Sequence, residues 1–310
     1  MTEKHISVLL NESISSLNLK ENSVIVDATL GYGGHSSYIL DRIKKGFLFA
    51  FDQDSEAIRH STDRLSKVGT NFTIVKSNFV HMKEELEKLG VKKVDGVLFD
   101  LGVSSPQLDE KERGFSYHED AKLDMRMDQD QKLSAYDVVN FYSREELARI
   151  FFEYGEDKFA SQIAKKIVEY REHKPIESTL ELVEVIKSAV PMKFRLEKHP
   201  ARQIFQAIRI EVNHELDVIE PAIDQALELL NVGGRVAVIT FHSLEDRLVK
   251  NIFREKCAID DRVRGLPNIP EEYLPDFRLV VNKAIVPSDE ELEKNPRARS
   301  AKLRVIERVK

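Results

Sequence analysis

The sequence predicts an α/β fold, a doubly wound parallel sheet with a helical domain inserted into it, and three observations lead there. The run Val24-Ile25-Val26-Asp27 is apolar and β-branched, ends on an acid, passes through Gly31-Tyr32-Gly33-Gly34 and enters a helical pattern over 36–43. A later apolar run, 47–51, and a strand pattern over Val94-Asp95-Gly96-Val97-Leu98-Phe99 also stop at an acid, Asp52 and Asp100. Between 135 and 189 the pattern is helical throughout, with no strand-like run. Strand, Gly-rich turn and helix in that order form a nucleotide-cofactor layout. Ligands lie outside the carboxyl ends of parallel strands, so Asp27, Asp52 and Asp100 should share one rim.

Each element follows from local chemistry. Glycine lets backbone approach a ligand closely, and a helix N-terminus offers unpaired N–H groups. The spacing departs from the dinucleotide fingerprint, because Ser36 stands three residues after Gly33 where a glycine would be needed. With an acid ahead of it, the turn at Gly31, Gly33 and Gly34 suits the amino-acid end of S-adenosylmethionine better than a pyrophosphate. Asp27 can accept hydrogen bonds from a cationic ligand group or brace the loop. Asp52, about 20 residues beyond the glycines, is placed to grip ribose hydroxyls. Asp54 suits the N-cap of a helix over Ser55–Leu65. A third strand at 72–76 leads to Phe79, a candidate ring contact for a nucleobase.

Composition sets the bounds. The chain has 310 residues, 42% hydrophobic and 32% charged, with a net charge of −6. No apolar run approaches the ~20 residues of a membrane span, and the first residues lack a signal-peptide layout. A cytoplasmic protein without a membrane partner is expected. A single cysteine, Cys257, leaves no internal disulfide and no zinc cluster, so no metal is expected. The acidic total does not advertise a nucleic-acid binder, yet two stretches run the other way. Residues 187–209 hold six Lys/Arg against one acid, and residues 296–310 hold six against one. Such stretches suit phosphate contacts.

After Asp100 the chain is too polar and broken for the next helix of a simple βαβ unit. Long connections at this position of an α/β fold typically belong to the active site. Helical segments follow, and a helix is expected to run back to the sheet as far as Leu230. Gly233-Gly234 then precedes a fifth strand ending at His242, on the same rim. The stretches 279–281 and 303–309 can supply antiparallel strands, joined across an exposed linker at 287–296. Domain borders are expected at 107/108 and 209/210, giving a discontinuous cofactor domain (1–107 and 210–310) and an insert (108–209).

Several motifs carry a resemblance. They are Asp27-Ala-Thr-Leu-Gly-x-Gly-Gly-His-Ser, Asp100-Leu-Gly-Val-Ser-Ser-Pro-Gln-Leu-Asp, Arg113-Gly-Phe-Ser and Leu123-Asp-Met-Arg-Met-Asp. Further along stand His199-Pro-Ala, Phe205-Gln-Ala-Ile-Arg-Ile, Phe241-His-Ser-Leu-Glu-Asp-Arg and Asn295-Pro-Arg-Ala-Arg-Ser-Ala. The chain resembles, nearly end to end, the bacterial ribosomal RNA small subunit methyltransferase H (MraW) family. One departure is Arg202-Gln203-Ile204, where that family shows Thr-Arg-Thr. The resemblance implies a Rossmann-like class I S-adenosylmethionine-dependent methyltransferase sheet. It also implies methyl transfer to N4 of a decoding-centre cytidine in small-subunit ribosomal RNA. The partner would be the 30S subunit or a late assembly intermediate, and a homodimer is left open.

Cofactor contacts are then expected at Asp27, Gly31, Gly33, Gly34, His35, Asp52, Phe79, Asp100 and Gln107, with His35 and Gln107 supplied by the resemblance. Asp100, Ser104 and His242 are the catalytic candidates, with Asp246 behind them. A cytosine amine is a weak nucleophile, so the loop at 100–106 should offer it acceptors and hold it in line with the methyl. Substrate contacts are expected from Arg113, Phe115, Arg126, Arg202, Arg209, Arg297 and Arg299, with Phe115 or Tyr117 stacking on a base turned out of folded RNA. The rival readings are a nicotinamide oxidoreductase, a non-catalytic RNA-binding factor and a small-molecule methyltransferase.

Overall fold

The computed structural model describes the whole chain apart from residues 1–6, 104–106, 108, 198, 264 and 266. Two units emerge, one of Met1–Gly102 with Leu216–Lys310 and the other of Val103–Glu215. Those borders lie at 102/103 and 215/216, against 107/108 and 209/210 from the sequence. Leu101 and Leu216 both pack into the sheet's core, which keeps the chain with the sheet up to Gly102 and returns it at Leu216.

In the first unit, α1 (Leu10–Ser16) precedes β1 (Val24–Asp27), α2 (Gly34–Arg42), β2 (Phe47–Asp52) and α3 (Ser55–Leu65). Then come β3 (Phe72–Lys76), α4 (Met82–Lys88) and β4 (Val94–Asp100). Asp54 caps α3, accepting Glu56 N–H at 3.0 Å, as its position suggested. The insert holds α5 (Ala135–Phe141), α6 (Arg144–Glu153), α7 (Ala160–Arg171), α8 (Thr179–Ala189), α9 (Met192–Glu197) and α10 (Ala201–Asn213). Ser134 and Ser143 start α5 and α6 with reciprocal capping boxes to Asp137 and Glu146, which supply the first turns' missing partners. Val138, Leu147, Ile150, Phe151, Ile163 and Ile208 build a core belonging to this unit alone.

Back in the first unit stand α11 (Ile219–Leu229), β5 (Leu230–Thr240), α12 (Ser243–Lys256), β6 (Phe277–Leu279), α13 (Asp289–Lys294) and β7 (Lys302–Arg308). Two expectations need correction. The helix meant to reach Leu230 is broken, because α10 ends on His214 in the left-handed conformation (φ 50°) and α11 begins afresh. The supposed linker contains α13, whose start is capped by Ser288 accepting Glu291 N–H at 3.2 Å. Glu291 in turn accepts Leu9 N–H at 2.7 Å, tying this segment to α1's entrance.

The seven strands run β3-β2-β1-β4-β5-β7-β6, with β1 to β5 parallel and β7 antiparallel to both neighbours. Alternation divides each strand between two cores. Val97 and Phe99 of β4 face α4, α11 and α12, whereas Leu98 faces α1, α2 and α3. Strands buried on both faces read as continuous apolar runs, hence the unbroken Phe47–Phe51 of β2 and Val97-Leu98-Phe99 of β4. Strand order reverses between β1 and β4, which sets the ligand crevice of such a sheet at their carboxyl ends. No described helix is long and apolar enough to cross a membrane.

Candidate functional site

The site grows from the end of β1. Leu30 N–H bonds to Phe51 O at 2.9 Å, locking the turn to β2, and Gly31 and Gly33 take positive φ, +51° and +73°. Gly33 is the N-cap of α2, so that helix points its unpaired N–H groups into the turn. Asp27, 1% exposed, accepts Ser36 Oγ–H at 2.6 Å and Thr29 N–H at 3.1 Å. Of its two readings from sequence, the geometry favours the brace. Burial pushes its carboxyl up to about 6, against the lowering pull of Ser36 and Thr29.

Asp52 works on the same turn. Its Oδ2 accepts Gly31 N–H and its Oδ1 accepts Asp54 N–H, each at 2.8 Å. Burial lifts it to about 6, with further upward pushes from the charges of Asp54 and Asp27. Carboxylate oxygens retain a second lone pair each, so these bonds leave acceptor capacity for a ribose. The Phe79 loop is fastened to the β2 end by Ser77 N–H to Asp52 O at 3.0 Å and Asn78 Nδ2–H to Gln53 Oε1 at 3.1 Å. Phe79 itself is half-buried, edge-on to Phe99 at 5.6 Å.

Asp100 closes the rim. Its N–H donates to Thr29 Oγ1 at 2.6 Å, and its Oδ2 lies 3.5 Å from His35 Nδ1. Its Oδ1 is buried and lacks a hydrogen-bond partner among the described residues. Burial, then the charges of Asp27 and Glu245, push this carboxyl up to about 8. His35, 5% exposed, is fixed from behind by Val8 O, 3.0 Å from Nε2.

At the end of β5, His242 stands beside Glu245, a residue the sequence reading overlooked. Glu245 is 1% exposed, its Oε2 accepts Phe241 N–H at 2.8 Å and His242 N–H at 3.3 Å, and its Oε1 lies 3.0 Å from His242 Nε2. The spacing His-x-x-Glu at a helix start is the capping-box signal that could have revealed it. His242 Nδ1 and Nε2 are both buried, and neither makes a hydrogen bond among the described residues despite the short approach to Glu245.

Other candidates are placed differently. Ser104 lies outside the described residues, and Gln107 is buried in the second unit. Asp246 is no free base. Burial raises its carboxyl, but Arg304 Nε at 2.7 Å and Lys302 Nζ at 3.0 Å more than offset this and hold it below the usual range. Arg113 is 7% exposed and donates to the carbonyls of Arg126 and Met127 at 3.0 and 3.1 Å, with Phe115 buried beside it. Arg126 bonds Asp124 at 2.9 and 2.8 Å, and Arg209 forms a two-pronged pair with Glu215 at 2.8 and 2.9 Å. These side chains are engaged inside the insert, whereas Arg202, Arg297 and Arg299 are exposed.

The residues fit a methyl-donating nucleoside. Asp100 offers a buried, unpartnered oxygen for a cationic ligand, and a Cβ added at Gly31 would meet nothing within 4 Å, so the turn borders open space. Comparisons agree. The MraW methylase family matches residues 2–309. A relative from Exiguobacterium sibiricum, named ribosomal RNA small subunit methyltransferase H, is 56% identical over 308 residues, 99% of each chain. Likeness to solved structures is weaker. An rRNA methylase from Streptococcus thermophilus has a TM-score of 0.44 at 14% identity, over 100% of this chain and 99% of that one. An O-methyltransferase from Thermotoga maritima has a TM-score of 0.42 at 13% identity, over 100% of this chain and 69% of that one. Matched across almost its whole length, this chain belongs to the MraW methylase family and is an S-adenosylmethionine-dependent methyltransferase.

Proposed function

We propose that the protein methylates N4 of a decoding-centre cytidine in small-subunit ribosomal RNA, within the 30S particle or a late assembly intermediate. The substrate class follows from the relative with 56% identity and its name. The observation in this chain that carries the chemistry is Asp100, whose buried Oδ1 is unpartnered among the described residues at the sheet's switch point.

S-adenosylmethionine supplies a methyl already activated on a sulfonium centre. The glycine turn and the N-terminus of α2 hold the amino-acid end, Asp52 the ribose hydroxyls, and Phe79 one face of the adenine. Asp100 orients the acceptor amine by taking a hydrogen bond from N4, which favours a pyramidal nitrogen with its lone pair aimed at the methyl. The N4–C bond forms as the C–S bond breaks, and one N4 proton must leave. His242 is the base we assign to it. Neither of its ring nitrogens is committed to a hydrogen bond among the described residues, so the imidazole has a lone pair to offer as the base.

Incubating the protein with methyl-labelled donor and, separately, 30S particles, assembly intermediates, naked small-subunit RNA and free cytidine tests the reading. Label should enter particle RNA and not free cytidine. Transfer to small molecules alone would sink the RNA assignment.

A further inference from the structure

The insert carries a stack of rings that packs on its core at one end and reaches the surface at the other. Tyr117 lies 4.8 Å from His199, nearly parallel at 26°, and 4.3 Å from His118 at 45°. His118 and His199 are 5.7 Å apart. Beneath them Tyr117 stands edge-on to Phe205 at 5.7 Å, and Phe205 is 3% exposed in the core, so the stack has a rigid footing. Above that footing the rings reach the surface, with Tyr117 and His199 half-buried and His118 exposed.

Both ends of the stack are held. His199 Nδ1 accepts Ala201 N–H at 3.3 Å, in the first turn of α10, which fixes the ring and leaves the proton on Nε2. Burial first, then the neighbouring His118 and Lys187, hold His199 below the usual imidazole range, which favours the uncharged ring and its π face. His199 lies within the stretch 187–209, with its six Lys/Arg against one acid, and Arg202 is exposed one turn away.

Rings that serve packing alone are covered, as Phe115 and Phe205 are. Rings held stacked, partly exposed and flanked by cations are what an unpaired nucleobase needs, because every base has a face to stack and a phosphate to neutralise. We propose that the Tyr117–His199 stack is a nucleobase site that takes an unpaired base of single-stranded RNA, with Arg202 on the neighbouring phosphate. This inference rests on the RNA reading above and adds a subsite within the insert.

The test uses the full chain with bound S-adenosylhomocysteine and a short single-stranded RNA containing 2-aminopurine, whose fluorescence is quenched by stacking. Wild-type protein should quench it on binding. Tyr117→Ala should weaken binding roughly 10- to 100-fold and abolish quenching, with the slope of affinity against salt unchanged, because every phosphate keeps its cation. Tyr117→Phe should restore both. His118→Ala alters an exposed side chain and serves if Tyr117→Ala fails to fold, with an expected loss of a few-fold in affinity. Quenching and affinity that survive Tyr117→Ala, or that survive His118→Ala where that variant must stand in, would overturn the site. If label never enters ribosomal RNA while quenching still depends on Tyr117, the fault lies with the function and not with this subsite.

Discussion

His35 Nδ1 lies 3.5 Å from Asp100 Oδ2, while the opposite ring nitrogen is 3.0 Å from Val8 O. A carbonyl only accepts, so Nε2 carries a proton toward Val8 and Nδ1 is turned toward Asp100. The carboxyl it faces has its affinity for a proton raised to about 8, chiefly by burial. Asp100→Asn keeps the shape and a donor toward His35 but cannot ionise. It should fold, and its affinity for S-adenosylmethionine should fall about 10- to 100-fold, the worth of a hydrogen bond to a charged group. Calorimetry measures this, and single-turnover transfer at saturating donor separates binding from chemistry. Unchanged turnover there would remove Asp100 from the reaction.

The same burial has a pH signature. In the unfolded chain these carboxyls ionise near 3.8, whereas in the fold Asp27 and Asp52 hold their protons to about 6 and Asp100 to about 8. The folded state therefore binds more protons across that window, and each group's contribution to stability declines as pH rises through it. Thermal unfolding of the ligand-free protein should show stability falling up to about pH 6 from Asp27 and Asp52, with a further decline to about pH 8 from Asp100. Asp100→Asn should flatten the upper limb. Superimposable curves for the two proteins would contradict the raised proton affinity of Asp100.

Two glycine substitutions should separate fold from ligand. Gly31→Ala strains a residue at φ +51° but adds its methyl to open space, a cost of about 1–2 kcal/mol for the left-handed backbone. Donor affinity should drop by far more than stability does. Gly33→Ala sits at φ +73° and brings Cβ within 3.2 Å of Ser61 Cβ, so α3 must yield and stability should suffer more. Unfolding curves and donor titrations on both variants check the ordering.

Ser36 and Asp27 form a closed pair, 0% and 1% exposed, at 2.6 Å. Removing the hydroxyl leaves a buried carboxyl oxygen short of a donor, and Ser36→Ala should cost about 1–3 kcal/mol. Denaturant unfolding would show it as a lower midpoint at unchanged slope. No loss would mean that the pair does not brace the turn.

The arginines divide by exposure. Replacing the exposed Arg297 and Arg299 with alanine should weaken RNA binding and reduce the salt slope by roughly 0.7 to 0.9 for each phosphate no longer neutralised. Arg113→Ala should instead destabilise the insert, because its guanidinium holds the Arg126 and Met127 carbonyls. A salt slope that responds to Arg113 and ignores Arg297 and Arg299 would reverse this division.

What was legible in the sequence was local. Strand-end acids, the glycine turn and the Asp54 cap each follow from a few neighbouring residues, and Asp27, Asp52 and Asp100 do gather on one rim, close enough for Asp27 to raise both of the others. Long-range pairing was not legible. Asp246 looks like a free acid until β7 brings Lys302 and Arg304 against it, 56 and 58 residues on. Arg113 and Arg209 read as substrate contacts because arginine is usually exposed, and only the folded insert shows the carbonyls and the carboxylate that occupy them. Glu245 was written in a His-x-x-Glu spacing, but its burial beside His242 depends on how α12 packs on the sheet.

The most direct measurement is nucleoside mass mapping of small-subunit ribosomal RNA from cells with and without this protein. Loss of N4-methylcytidine at a decoding-centre position, restored by the wild-type chain and not by Asp100→Asn, is the predicted result. An unchanged N4-methylcytidine signal, or a loss confined to some other modified nucleoside, would contradict the account.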